Sequence, residues 1–292
     1  MANVRLVVTN GCSFTHGTSL AEPERTCWPR VLADALDAPL VNLAAGGGSN
    51  HRLVRTTVEQ LPQVVDRAGC TPQETLFVAM WTELARSEVY DPSTPDTGYL
   101  STAFADRPWH RIGIWSIDRG YRPARQFYRH LQHDEGDFLS FLLGYALLES
   151  FLRLHGFRYA FVFVEDLLPP GFRPDGYEHT RLIDERHLLG GWDGSAADSF
   201  VGVIKARGLP MSGRQRGVTR GRGHPLEAAH RVYALEHVLP FVRQLLAATE
   251  GDSRTVGSAP GDRVDSSGPR PGRGRAGPAL RPPDERADHR PS

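Results

Sequence analysis

Apolar and polar positions alternate in short blocks along most of the chain. Val4 to Val8 is β-branched and apolar enough for a buried strand, and Asn10 to Gly17 after it is small, polar and glycine-bearing, as a tight turn needs. Trp28 to Leu36, with Pro29 near its start, predicts a first helix, and Leu40 to Leu43 a second strand. A glycine run and a helix over His51 to Asp66 come next, then a third strand over Thr75 to Met80. Phe138 to Leu154 predicts a strongly apolar helix stopped by Gly156, Arg158 to Val164 a fourth strand, and Pro225 to Ala248 a last helix. The apolar face of that last helix is marked by Leu226, Ala229, Val232, Tyr233, Leu235 and Leu239. Strands alternating with helices predict an α/β fold: three layers, α/β/α, around a mostly parallel sheet.

Two stretches break the rhythm. Asp91 to Arg125 is rich in proline, tryptophan, histidine and arginine, and Pro169 to Gly221 mixes turns with short apolar pieces. Long insertions in such folds sit at strand ends, so both are expected to wall the site there. From residue 251 to residue 292 glycine, proline, arginine, aspartate and serine dominate, with too little apolar surface to offset the entropy of ordering. The expected organisation is one α/β domain over residues 1–250 and a disordered tail over residues 251–292.

Composition narrows the classes of partner. Acidic and basic residues number 34 each among 292, so no overall field favours nucleic acid or an anionic membrane. Acids interspersed through the arginine-rich tail weaken its reading as a nucleic-acid arm. Cys12, Cys27 and Cys70 lack metal-ligand or paired spacing, which argues against a disulfide framework and for a reducing compartment. His130 and His133, one turn apart if helical, have no nearby Cys or carboxylate cluster in ligand spacing. The N-terminus lacks a leader pattern and no stretch is long and apolar enough for a span. The expectation is a cytoplasmic, soluble protein with no metal and no cofactor. The sequence carries no signal for an oligomeric state.

Candidate chemistry lies at three junctions: Ser13 after the first strand, "NLAAGGGSNHR" from Asn42 to Arg52 after the second, and "GRGHPLEAAH" from Gly221 to His230 at the last helix. In an open parallel sheet the carboxyl ends of the strands face one crevice, so the first two meet there. A serine hydroxyl needs a base to become a nucleophile, and neutral imidazole serves at neutral pH, which makes His224 the candidate. An ester oxyanion needs backbone N–H donors, and glycines let the chain come close. Alone, Ser13 reads as a turn serine. The glycine run reads poorly as a phosphate cradle, because it is neither GxGxxG nor followed by Gly-Lys-Ser/Thr.

In this order the pieces resemble the SGNH superfamily, the GDSL-type esterases and lipases. Gly11-Cys12-Ser13-Phe14 is similar to the family's GDS-like turn, Asn42 with Gly46 to Gly48 to its glycine block, and His224-Pro225 to its HP at the start of the last helix. The resemblance implies an SGNH/flavodoxin-like fold and hydrolysis of a small-molecule ester, an acyl group on a sugar or metabolite. It implies Ser13 as nucleophile, His224 as general base and then acid, and the amides of Ser13 and Gly48, or Gly47, as oxyanion donors. The family's third block carries an asparagine where this chain reads Met80-Trp81-Thr82-Glu83, so Asn50 or Thr82 takes the third donor role. Trp81, Thr82 and Arg86 are candidates for substrate contact. The family's aspartate before the histidine is also absent, Arg214 to Gly223 containing no acid. A backbone carbonyl then orients His224 in a Ser–His dyad, or an acid such as Asp166 or Asp184 does so, or the chain is a weak or inactive binding module. Acyl transfer rather than hydrolysis is the remaining alternative.

Overall fold

In a computed structural model of the chain, residues 4–90, 108–118, 120–213 and 223–255 are described. Strand β1 (Leu6–Asn10) leads into a one-turn helix α1 (Ser13–His16), then α2 (Pro23–Thr26) and α3 (Trp28–Ala35). Strand β2 (Leu40–Asn42), helix α4 (Asn50–Arg67), strand β3 (Thr75–Trp81) and the short strands β4 (Ser87–Tyr90) and β5 (Trp109–Ile112) follow. Helices α5 (Trp115–Asp118), α6 (Arg122–His130) and α7 (Asp134–Leu154) precede β6 (Arg158–Phe163). Helices α8 (Gly191–Gly194), α9 (Phe200–Arg207), α10 (Glu227–Val232) and α11 (Leu239–Thr255) complete the order, with a π-helical stretch, Tyr233–Val238, joining the last two.

The main sheet has the order β2-β1-β3-β6 and every pairing in it is parallel. Side-chain alternation then builds two cores. Val7, Leu76, Val78, Met80 and Val162 face Trp28, Leu32, Phe200, Tyr233 and Val238 of the helices on one side. Leu6, Val8, Phe77, Ala79, Trp81 and Phe161 face Leu53 and Leu61 of α4 and Phe141, Tyr145 and Leu148 of α7 on the other. The fold is therefore a three-layer α/β/α sandwich. Parallel strands bring Asn10, Asn42, Trp81 and Phe163 to a common edge, from which the segments carrying the candidate residues continue.

Several boundaries differ from the sequence pattern. Helix α7 begins at Asp134, four residues before Phe138, because His133 caps it and Asp134, Glu135 and Asp137 suit its N-terminal dipole. His130 ends α6 and His133 caps α7, so the two do not share a helix. β3 continues to Trp81 rather than ending at Met80. The antiparallel pair β4–β5, inside and beside the first insertion, was not in the pattern. Helix α11 runs on to Thr255, five residues into the expected tail. A first unit covers Met1–Arg254 and a second Thr255–Ser292, and the rest of the expected tail lies outside the described residues. No helix among the described residues is long and apolar enough to cross a membrane, and all three cysteines are free.

Candidate active site

The site grows from the end of β1. Asn10 is fully buried, and its amide donates to Leu53 O at 3.2 Å and to the hydroxyls of Thr56 and Thr57 at 2.9 Å each. Its Oδ1 accepts from Gly11 N at 2.8 Å, so the strand end is tied to α4 before the chain turns. A Cβ on Gly11 would run into Thr15 Oγ1 and lie 3.1 Å from Met80 O, which is why no larger residue fits there. Cys12 then caps α1, and Ser13 is its first residue. The carbonyl of Ser13 accepts from Gly17 and Thr18, fixing the turn, while no backbone carbonyl among the described residues engages the Ser13 amide. Asn42 holds α1 from the neighbouring strand by donating to Thr15 O at 3.0 Å.

The glycine loop packs against this turn. Gly48 N donates to Ala45 O at 3.0 Å and Gly47 has φ +71°, so the loop is a tight turn whose third position requires the left-handed conformation. A Cβ on Gly48 would lie 2.7 Å from Gly11 O and 3.4 Å from Cys12 Cα, which measures how closely the loop approaches the serine turn. Because the Gly48 amide closes its own turn, Gly47 is the member of the pair whose amide has no backbone acceptor among the described residues. The first insertion supplies the wall: Arg111 donates to Gly46 O at 2.6 Å, and Trp115 stands over Gly47.

Asn50 opens α4 and clasps the end of β3. Its amide donates to Thr82 O at 2.9 Å, and Thr82 N donates to its Oδ1 at 2.8 Å. Arg86 is buried behind this clasp, donating to Thr82 Oγ1 at 3.1 Å and to Glu83 Oε2 at 3.1 Å, with its guanidinium 5.1 Å from the Trp115 ring. Burial works against the Arg86 charge, but Glu83 and the Cys12 side chain outweigh it and raise its pKa. Trp81 is different. Its side chain is fully buried, stacked 5.2 Å from Tyr145 and edge-on to Phe141 and Phe161, so it belongs to the core under α7 and not to the cleft. The extra strand residue explains this, since odd positions of β3 face α7.

His224 arrives from the far end of the sequence and is held by the second insertion. Its N–H donates to Ser212 Oγ at 2.8 Å, and its carbonyl accepts from Ser212 N at 2.7 Å. The imidazole packs against Phe14, the residue after Ser13, with centroids 5.7 Å apart. Among the described residues no hydrogen bond joins the ring to Ser13 or to a carboxylate, and its Nδ1 lies 3.5 Å from Ser19 Oγ. Burial first, and the Arg86 charge second, lower the His224 pKa, with Glu83 opposing them. The ring is thereby kept neutral around neutral pH, as a base must be. Asp184 is paired with Arg186 and Asp166 accepts from Leu168 N, so neither carboxylate contacts the ring.

Sequence reasoning missed several contributors. Asn10, Arg111, Trp115, Ser212 and Ser19 contact the candidate segments, yet Arg111, Trp115 and Ser212 lie in aperiodic insertions and reach them only through the fold. Asn10 alone carried a legible signal, a buried-type position at a strand end occupied by an amide.

The fold defines a three-layer α/β protein whose serine turn and glycine loop meet at the carboxyl edge of its sheet. Residues 16–255 match the model of a family described as a family of unknown function (DUF6071), and the chain belongs to that family. Among solved structures it is similar to TesA, at 15% identity over 82% of this chain and 99% of that one, with a TM-score of 0.40. It is also similar to a two-domain esterase (CEX) active on acetylated mannans, at 14% identity over 84% of this chain and 50% of that one, with a TM-score of 0.39. The chain thus spans half the length of that two-domain enzyme. An acetyl xylan esterase, AlAXEase, is similar at 14% identity over 78% of this chain and 96% of that one, with a TM-score of 0.38. Nothing among curated proteins matches the sequence.

Proposed function

We propose that this chain is a serine ester hydrolase of the SGNH type, acting on a small-molecule ester at the Ser13 turn. One observation carries the reading: an imidazole contributed from more than two hundred residues away is seated on Phe14, beside a serine at the N-terminus of a turn pressed by a glycine loop. In the proposed reaction Ser13 Oγ attacks the ester carbonyl while His224 takes its proton. The amides of Ser13 and Gly47 face the oxyanion, and the second N–H of the Asn50 amide is left for the same charge. The C–O bond to the alcohol breaks as His224 returns the proton to the leaving oxygen. Water, deprotonated by His224, then attacks the acyl-enzyme and frees Ser13 and the acid. Thr82 and Arg86, both buried, support the Asn50 clasp from behind, and no cofactor enters the scheme.

The absence of a carboxylate against His224 among the described residues favours a second reading, a binding module with weak catalysis. Turnover of a short-chain nitrophenyl ester separates the two. Ser13→Ala is expected to lower kcat by about a thousandfold or more with circular dichroism unchanged. Equal turnover by the variant removes Ser13 from the chemistry.

A further inference from the structure

In a serine–histidine pair the second ring nitrogen needs a partner that fixes the tautomer, and a carboxylate is the usual one. None is hydrogen-bonded to His224 among the described residues; the polar atom at its Nδ1 is Ser19 Oγ, at 3.5 Å. Ser19 is no ordinary loop serine. Its φ of +79° makes it one of two non-glycine residues in the left-handed region among the described residues, and such strain is kept where surroundings or function impose it. Ser19 and Ser13 also share one rigid piece of chain. Ser13 O accepts from Gly17 N at 3.0 Å and from Thr18 N at 2.9 Å, and Leu20 N donates back to Gly17 O at 3.1 Å, so the turn carrying the nucleophile ends at the hydroxyl facing the imidazole. Phe14, between them, packs on the ring itself at 5.7 Å.

We propose that Ser19 is a positioning residue for His224, its hydroxyl accepting from Nδ1–H and leaving the Nε2 lone pair for the Ser13 proton. The inference rests on the serine-hydrolase reading for its consequence, but the contact itself stands apart from any activity. A hydroxyl in place of a carboxylate orients the ring without supplying a full negative charge to the imidazolium that forms during reaction. Catalysis by the natural chain is accordingly slower than an acid at this position allows.

The test compares Ser19→Gly and Ser19→Asp with the natural chain, following the His224 ring by nitrogen-15 NMR and nitrophenyl-ester turnover against pH. Glycine suits the left-handed backbone and removes only the hydroxyl, so folding is retained. The charged and titratable groups facing His224 are Arg86 and Glu83 beyond β3 and His230 of α10, and all three are unchanged in both variants. Ser19→Gly is expected to lower kcat about five- to tenfold with KM unchanged, and to shift the ring away from the Nδ1–H tautomer. Ser19→Asp is expected to raise the His224 pKa by about one unit or more, to move the acid limb of the rate profile by the same amount, and to raise kcat above that of the natural chain. An unchanged His224 tautomer and titration in both variants overturns the proposal, whatever the turnover. Ring shifts as expected, with no Ser13-dependent turnover, uphold the contact and instead overturn the hydrolase reading.

Discussion

His230 makes stability a sharp function of pH. The side chain is fully buried in the last turn of α10, its Nδ1 accepts from Trp28 N at 3.1 Å, and its ring lies edge-on to Phe200 at 5.1 Å. Burial, with a smaller contribution from the neighbouring His224, lowers its pKa from 6.5 to about 3. The accepting Nδ1 explains the chemistry: a protonated ring turns that acceptor into a donor facing a donor. In the unfolded chain the ring titrates normally, so below pH 6.5 the unfolded state binds a proton that the folded state refuses. Stability contributed at neutral pH is therefore lost progressively as pH falls from 6.5 toward about 3. At about pH 5 the loss is about 2 kcal/mol, from about 1.4 kcal/mol for each pH unit below the unfolded value. His230→Gln keeps an acceptor for Trp28 N but cannot titrate. Unfolding free energies from urea titrations at about pH 7.5 and about pH 5 are expected to fall further for the natural chain than for the variant, by that same ~2 kcal/mol. His16, His187 and His224, also lowered by burial, are present in both proteins and cancel. Equal falls refute the reasoning and leave the His230 ring freely protonated in the folded protein.

Two further substitutions probe the cleft. Gly47→Ala places a Cβ 2.8 Å from the Trp115 ring at a φ of +71°; ester turnover is expected to drop about tenfold or more, while thermal melting registers only ~1 kcal/mol of lost stability. Full turnover in this variant excludes the Gly47 amide from the oxyanion site. Asn10→Ala deletes three donated hydrogen bonds and the acceptor of Gly11 N from a buried position, and denaturant unfolding is expected to show a loss of about 2–4 kcal/mol. An unchanged midpoint contradicts the tie between β1 and α4.

The order of apolar and polar positions was enough to read the sandwich, because parallel strands buried on both faces show as near-continuous apolar runs. Val7 and Val8 illustrate the limit: the run marks a strand, but only pairing decides that one faces α3 and the other α4. Trp81 fell on the wrong side of a boundary by one residue, and with period-two alternation that moved its ring from core to cleft. Among three successive glycines nothing in the sequence selects which takes positive φ, so the free amide of Gly47 emerged only from the turn. Ser19 had no signal at all, since a serine in "HGTSLAEP" reads as an exposed loop residue, which it is, and only the fold sets the segment before α10, with His224, beside it. The grip of Ser212 on His224 is likewise a pairing between an aperiodic insertion and a distant segment, which no local pattern encodes.

The most direct measurement is the site of covalent capture by a fluorophosphonate, read by mass spectrometry on the intact chain and its peptides. A single adduct on Ser13, absent from His224→Ala while circular dichroism is retained, is the predicted result. Adduct on another serine, or labelling of Ser13 that is indifferent to His224, contradicts a nucleophile activated by that imidazole.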